Sequence, residues 1–146
     1  MSGIQGAVLG VKLNHLDKWT EGRRRVANKY RELLSDIPEL QLPVEMEYAK
    51  HVYHLFVLQV KGKDGEARTK RRDDLQKFLG ENEIASGLHY PIPLHEQKCF
   101  ENLGYKKGDF PVSEALAEQG LSLPMYAELS DDQINLVSQT IHKYFE

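Results

Sequence analysis

VYHLFVLQV, residues 52–60, is the most apolar segment of the chain and has the length of a strand. Val52, His54, Phe56, Leu58 and Val60 fall on one face of an extended chain, while Tyr53, Leu55, Val57 and Gln59 fall on the other. Both sets are largely apolar, so the segment predicts an interior strand with cover on both faces.

Downstream, KGKDGE at 61–66 reads as a turn or exposed loop. The spacing predicts a helix from about Thr69 to Leu79 with Leu75, Phe78 and Leu79 inward. Ile84 to Tyr90 reads as a second strand, interrupted by Ser86 and Gly87. Pro91 and Pro93 cannot continue a ladder, so HYPIPLH at 89–95 is an ordered loop that feeds a short helix around 95–102. After LGYKKGDF, Pro111 suits a first helical turn that Asp109 can help to cap, and that helix runs to Gly120. Leu121 to Leu123 makes a third, short strand. Ser130 followed by Gln133 fits a capping box, and Ile134, Val137, Ile141 and Phe145 give the last helix its core face.

Upstream, Ile4, Val8, Val11, Leu16, Trp19, Val26, Tyr30 and Leu34 recur at helical spacing. They predict helix over 4–34 with a break near 14–18, where Asn14 or Asp17 can cap a new start. The chain opens almost directly into helix, with no strand or capping loop ahead, as a chain cut from a longer one would. Residues 35–50 read as a polar connection marked by Pro38 and Pro43. The expected fold class is α+β: a small, two- to three-stranded antiparallel sheet packed with helices. Its rival is a ferredoxin-like regulatory module with strand order 4-1-3-2.

The chain has 146 residues, one domain's worth or less, with 40% hydrophobic and 28% charged residues. That composition excludes a disordered chain, and no stretch approaches the apolar length of a membrane span. The net charge of −3 argues against a nucleic-acid surface. Residues 1–73 carry 14 basic and 10 acidic side chains against 5 and 12 in residues 74–146, an asymmetry expected of solvated helix faces or of a surface meeting a phosphate or second subunit. Cys99 is the single cysteine, which excludes an internal disulfide and a thiol-rich zinc site, and no secretory signal opens the sequence. The expected location is the cytoplasm.

No dinucleotide fingerprint, phosphate loop or nucleophile elbow occurs. Arg23-Arg24-Arg25 and Lys70-Arg71-Arg72 read as solvated charged faces with some acidic partners, and the carboxylates form no acid–base pair. The six histidines are dispersed. His89, His95 and Cys99 lie on the proline-stiffened loop and the helix it feeds, where sites are often built. A zinc site there would require convergence, a pocket wall would use His89 and Tyr90, and plain anchoring of the loop is the third option.

At this loop the chain resembles the C-terminal portion of the DegT/DnrJ/EryC1/StrS family, PLP-dependent aminotransferases that act on nucleotide-linked sugars. SGIQGAVLGVKLNHLDKW at 2–19, RRRVANKYRELL at 23–34, HVYHLFVLQV at 51–60 and LSDDQINLVSQTIHKYF at 129–145 carry the likeness in order. LHYPIPLH, GDFPVSE and LSLPMY at their separations are the specific words. The resemblance implies a small domain like that of fold-type I PLP enzymes, over residues 35–146, preceded at 1–34 by helices linking it to a large domain. It implies a homodimeric parent that transfers an amino group from glutamate to a keto-sugar nucleotide, with PLP held by a lysine upstream of these residues. This chain then has no catalytic, cofactor-binding or metal-binding residue of its own and is inactive alone. His89, Tyr90 and His95 are implied as the wall facing the sugar nucleotide. Ile4, Val8 and Val11, uncovered without the large domain, are expected to drive self-association through the first helix. The alternative is a non-catalytic module that binds a nucleotide sugar or a protein. Where the family commonly has glycine before the isoleucine of the second strand, this chain has Glu83, with Asn82 able to supply a left-handed residue instead.

Overall fold

The structure is a computed structural model that describes residues 2–62 and 67–146. The turn expected at 61–66 therefore falls largely outside the described residues.

Helix α1 spans Gly3–Leu13 and α2 spans Leu16–Leu34, so the break falls where the sequence places it. The capping differs from expectation. Ser2 opens α1 with a full capping box, its hydroxyl accepting from the Gln5 amide while Gln5 accepts from the Ser2 amide. At the break Asn14 ends α1, and His15, with no side-chain cap bond, starts α2. Helix α1 buries nothing, whereas α2 buries Val26, Ala27, Tyr30 and Leu34.

Strands β1 (Leu40–Gln41), β2 (Phe56–Val60) and β3 (Gly120–Leu123) form one antiparallel sheet in the order β1-β2-β3. Leu40 pairs with Val60, and Phe56 and Leu58 pair with Leu123 and Leu121. That order differs from the four-stranded arrangement of the ferredoxin-like rival. Helices α3 (Arg68–Glu81), α4 (Pro111–Gln119) and α5 (Asp131–Phe145) complete the fold, with short 3-10 turns at Leu94–Glu96 and Lys98–Leu103. Ser130 and Gln133 form the expected capping box, and Ile134, Val137 and Ile141 are buried. Pro111 occupies the first turn of α4, but Phe110 stands at its N-cap, and the Asp109 carboxylate instead accepts from the Lys106 amide. No described helix is long and apolar enough to cross a membrane.

One core joins α2, α3 and α5 to the sheet through Tyr30, Phe56, Leu58, Leu79, Leu121 and Ile141, all fully buried. Each such apolar side chain contributes roughly 1.5–3 kcal/mol relative to exposure. Tyr30 keeps its hydroxyl satisfied by donating to the Pro124 carbonyl, 3.1 Å away.

Five sequence expectations need correction. The left-handed residue before Ile84 is Glu83 itself at φ 60°, not Asn82, which has φ −99°. The strand at 52–60 pairs only from Phe56, because Tyr53 sits at φ 47° and turns the chain. Its side chain is 1% exposed while Val52 and His54 point outward, so the alternation fails before Phe56. Arg31 donates to the Tyr53 hydroxyl at 2.6 Å, and the Tyr53 amide donates to His51 Nδ1 at 2.8 Å. The strand at 84–90 shrinks to a single bridge between Gly87 and Ser122, since the Ile84 amide turns back to the Leu79 carbonyl to close α3. Strand β1 lies inside the supposed polar connection. Finally, the second basic cluster is not solvated throughout, whereas the first has the acidic partners expected of it. Arg72 is 4% exposed and donates to the carbonyls of Ala117 and Gly120 at the end of α4. Arg71 lies over the Phe145 ring and bonds Glu39, while Arg24 bonds Glu45 and Arg25 bonds Asp131.

Candidate functional site

The end of α3 aims the loop. Two hydrogen bonds, Glu83 amide to Gly80 carbonyl and Ile84 amide to Leu79 carbonyl, form a Schellman motif that sends the chain toward β3. There Gly87 and Ser122 exchange both backbone hydrogen bonds at 3.0 and 2.8 Å. The next turn, across a cis His89–Tyr90 peptide, delivers those two side chains to the surface before Pro91 and Pro93 stiffen the path.

His89 and Tyr90 line a groove of about 320 Å³ together with Ile92, Pro93, Gln97 and Leu116. Their rings meet edge-on, with centroids 5.8 Å apart, and Tyr90 is 75% exposed. His89 Nδ1 lies 2.9 Å from the Ser122 hydroxyl. The groove thus has apolar sides and a few polar side chains, His89, Tyr90, Gln97 and Ser113, the arrangement of small-molecule sites.

His95 is not among the groove's lining residues. Its imidazole is 7% exposed, lies against the Phe110 ring, and puts Nε2 3.1 Å from Glu114 Oε1. The same Glu114 oxygen accepts from the amides of Gly108 at 2.8 Å and Phe110 at 3.2 Å. Burial pushes the Glu114 carboxyl up, but these two amides and His95 together hold it below the ordinary carboxylate range. Glu114 went unnoticed in the sequence. Its only signal was its place in GDFPVSE, three residues past a helix-starting proline.

His95, Glu96 and Glu114 bring ligand atoms within 4.8 Å of one another, the arrangement a divalent cation would need. Glu114 Oε1 already receives three hydrogen bonds, so the cluster is satisfied as a buried polar pair. His89, His95 and Cys99 form no such group among the described residues. Cys99 is exposed, and among the described residues its thiol has only a long contact to Gln97. His51 stacks on Tyr53 and His142 bonds the Leu33 carbonyl, both away from the groove.

The solved structure of S. venezuelae DesV in complex with a ketimine intermediate shares this fold, with a TM-score of 0.87 and 32% identity over 97% of this chain and 36% of that one. The fold class is that of an α+β aminotransferase domain. The chain belongs to the DegT/DnrJ/EryC1/StrS aminotransferase family, whose model matches residues 1–142. A "pleiotropic regulatory protein" of Geobacillus stearothermophilus is 40% identical over 97% of the chain, and a dTDP-3-amino-3,6-dideoxy-alpha-D-galactopyranose transaminase of Aneurinibacillus thermoaerophilus is 33% identical over 97%. The chain spans 36% of the length of each of these relatives.

The family is PLP-dependent. A lysine that holds PLP must be desolvated or otherwise activated to react at neutral pH. Every described lysine of this chain is exposed except Lys29, which is half-buried and paired with Glu32, and Lys50 and Lys107 are engaged by Glu21 and Glu118. None lines the groove beside His89. The described residues do not by themselves fit the cofactor.

Proposed function

We propose that this chain forms the small domain of a PLP-dependent aminotransferase that moves an amino group from glutamate to a keto-sugar nucleotide. The observation that carries this is the match over residues 1–142 to a family of sugar aminotransferases. Residues 1–34 then link to the PLP-bearing part of the enzyme and residues 35–146 form the small domain. The enzyme works in the cytoplasm as a homodimer, with no nucleic acid or membrane involved.

The groove supplies the wall that meets the sugar nucleotide. The His89 imidazole and Tyr90 phenol hydrogen-bond to hydroxyl or phosphate oxygens, while Ile92 and Leu116 lie along the apolar parts. His95 belongs to this wall through its grip on Glu114, which holds the far end of the loop against α4. The exposed face of α1, carrying Ile4, Val8 and Val11, is covered in the isolated chain by a second copy.

Alone, the chain has no aminotransferase activity, because no described lysine has a setting for the cofactor. The test mixes the purified chain with PLP, records the absorbance of any lysine–PLP adduct, and then adds glutamate and a keto-sugar nucleotide. The expected result is no stable adduct and no amino sugar. An adduct that converts to the amine form on adding glutamate would overturn the proposal.

A further inference from the structure

We propose that Ser122 is a positioning residue: it holds His89 as the tautomer with its proton on Nε2, so the groove presents an N–H donor and receives an acceptor oxygen of its ligand there. The oxygen-binding half of this statement rests on the groove meeting a sugar nucleotide, and the tautomer half does not.

Ser122 is 4% exposed on β3. Its backbone amide and carbonyl are both taken by Gly87. Its hydroxyl has one partner among the described residues, His89 Nδ1 at 2.9 Å. A buried hydroxyl left without an acceptor is costly, whereas an unused lone pair costs little. The hydroxyl therefore donates, and Nδ1 must carry its lone pair. A neutral imidazole then has its proton on Nε2.

Gly87 makes room for that ring. A β-carbon there would stand 3.0 Å from His89 Cε1 and 3.5 Å from Nδ1. The imidazole lies across bare backbone, and its position is set by the serine on one side and by the missing side chain on the other. Tyr90 beside it is free to rotate its hydroxyl as donor or acceptor, so His89 is the member of the pair with a fixed polarity.

The test is a nitrogen-15 imidazole spectrum of this chain at pH 8.5, where histidine is neutral, recorded for the wild type, Ser122→Ala and Gly87→Ala. The wild type is expected to show His89 with Nε2 protonated and Nδ1 at the position of an unprotonated, hydrogen-bonded nitrogen. Both variants are expected to move Nδ1 toward its free-imidazole position. Gly87→Ala displaces the ring with the hydroxyl intact, so it still reads the contact if Ser122→Ala folds poorly. Protonated Nδ1 in the wild type, or an Nδ1 resonance unmoved in both variants, overturns the tautomer assignment. Titration with thymidine diphosphate then tests the ligand half: the Nε2–H resonance should shift on binding, and loss of the hydrogen bond in Ser122→Ala should weaken binding by about five-fold. If the tautomer is as stated but Nε2–H ignores the nucleotide, the groove's role is overturned and the positioning by Ser122 stands.

Discussion

Replacing Glu83 by glycine should stabilise the protein. Glu83 occupies the first position past the end of α3 in a Schellman motif and has φ 60°, the left-handed region in which a β-carbon crowds the backbone. The side chain is exposed and makes no hydrogen bond or ion pair among the described residues, so its removal forfeits nothing visible. A non-glycine residue pays roughly 1–2 kcal/mol for this conformation. Glycine loses about 0.5–1 kcal/mol of that advantage through the greater freedom of its unfolded chain. The net gain is then about 0.5–1 kcal/mol, which for a chain of this size raises Tm by about 2–3 °C. Glu83 also lies at the negative end of the α3 dipole, so part of any gain could come from removing charge; Glu83→Ala isolates that part, at about 0.3 kcal/mol. Asparagine tolerates left-handed φ, so urea midpoints should rank glycine above asparagine, with alanine close to wild type. A midpoint for Glu83→Ala equal to that of Glu83→Gly would refute the conformational reasoning.

Three further outcomes are expected. The Arg24 hydrogen bond, with help from the His51 amide, lowers the Glu45 carboxyl from 4.5 to about 2. Its folded pKa is depressed, so the stability it contributes is complete above pH 4.5 and is lost as pH falls toward 2; urea midpoints of wild type and Glu45→Gln should converge over that interval. Arg72→Ala strips the buried carbonyls of Ala117 and Gly120 of their donor, and denaturant unfolding should show a loss of about 2–3 kcal/mol. In sedimentation the chain should exceed its 16.8 kDa monomer mass, and Val8→Glu, on the exposed face of α1, should return it to monomer; a wild type that stays monomeric at high concentration would count against a second copy there.

Some elements are written into a few neighbouring residues. Pro111 begins α4, Ser130 and Gln133 begin α5, and apolar spacing puts Ile134, Val137 and Ile141 in the core. Such signals are local: a cap or a helical stripe is complete within a turn or two, whatever the rest of the chain does. The family likeness of LHYPIPLH, GDFPVSE and LSLPMY was equally legible, and it pointed to the loop where His89 and Tyr90 line the groove.

Other features depend on partners distant in sequence. Strand β1 is two residues long and exists because Leu40 and Gln41 find Val60 and Gln59. The segment after α3 became a single bridge because the Ile84 amide was claimed by Leu79 and only Gly87 of that segment bonds the β3 backbone, at Ser122. Tyr53 takes a left-handed turn that places its hydroxyl beside Arg31. Arg72, read in the sequence with Lys70 and Arg71 as one charged face, is buried because the end of α4 offers it two carbonyls. The family resemblance implies one wall of His89, Tyr90 and His95, yet the His95 ring turns to Glu114. A side chain's charge and shape are local properties, but whether it is solvated, and which atom satisfies it, is decided only when distant segments come together.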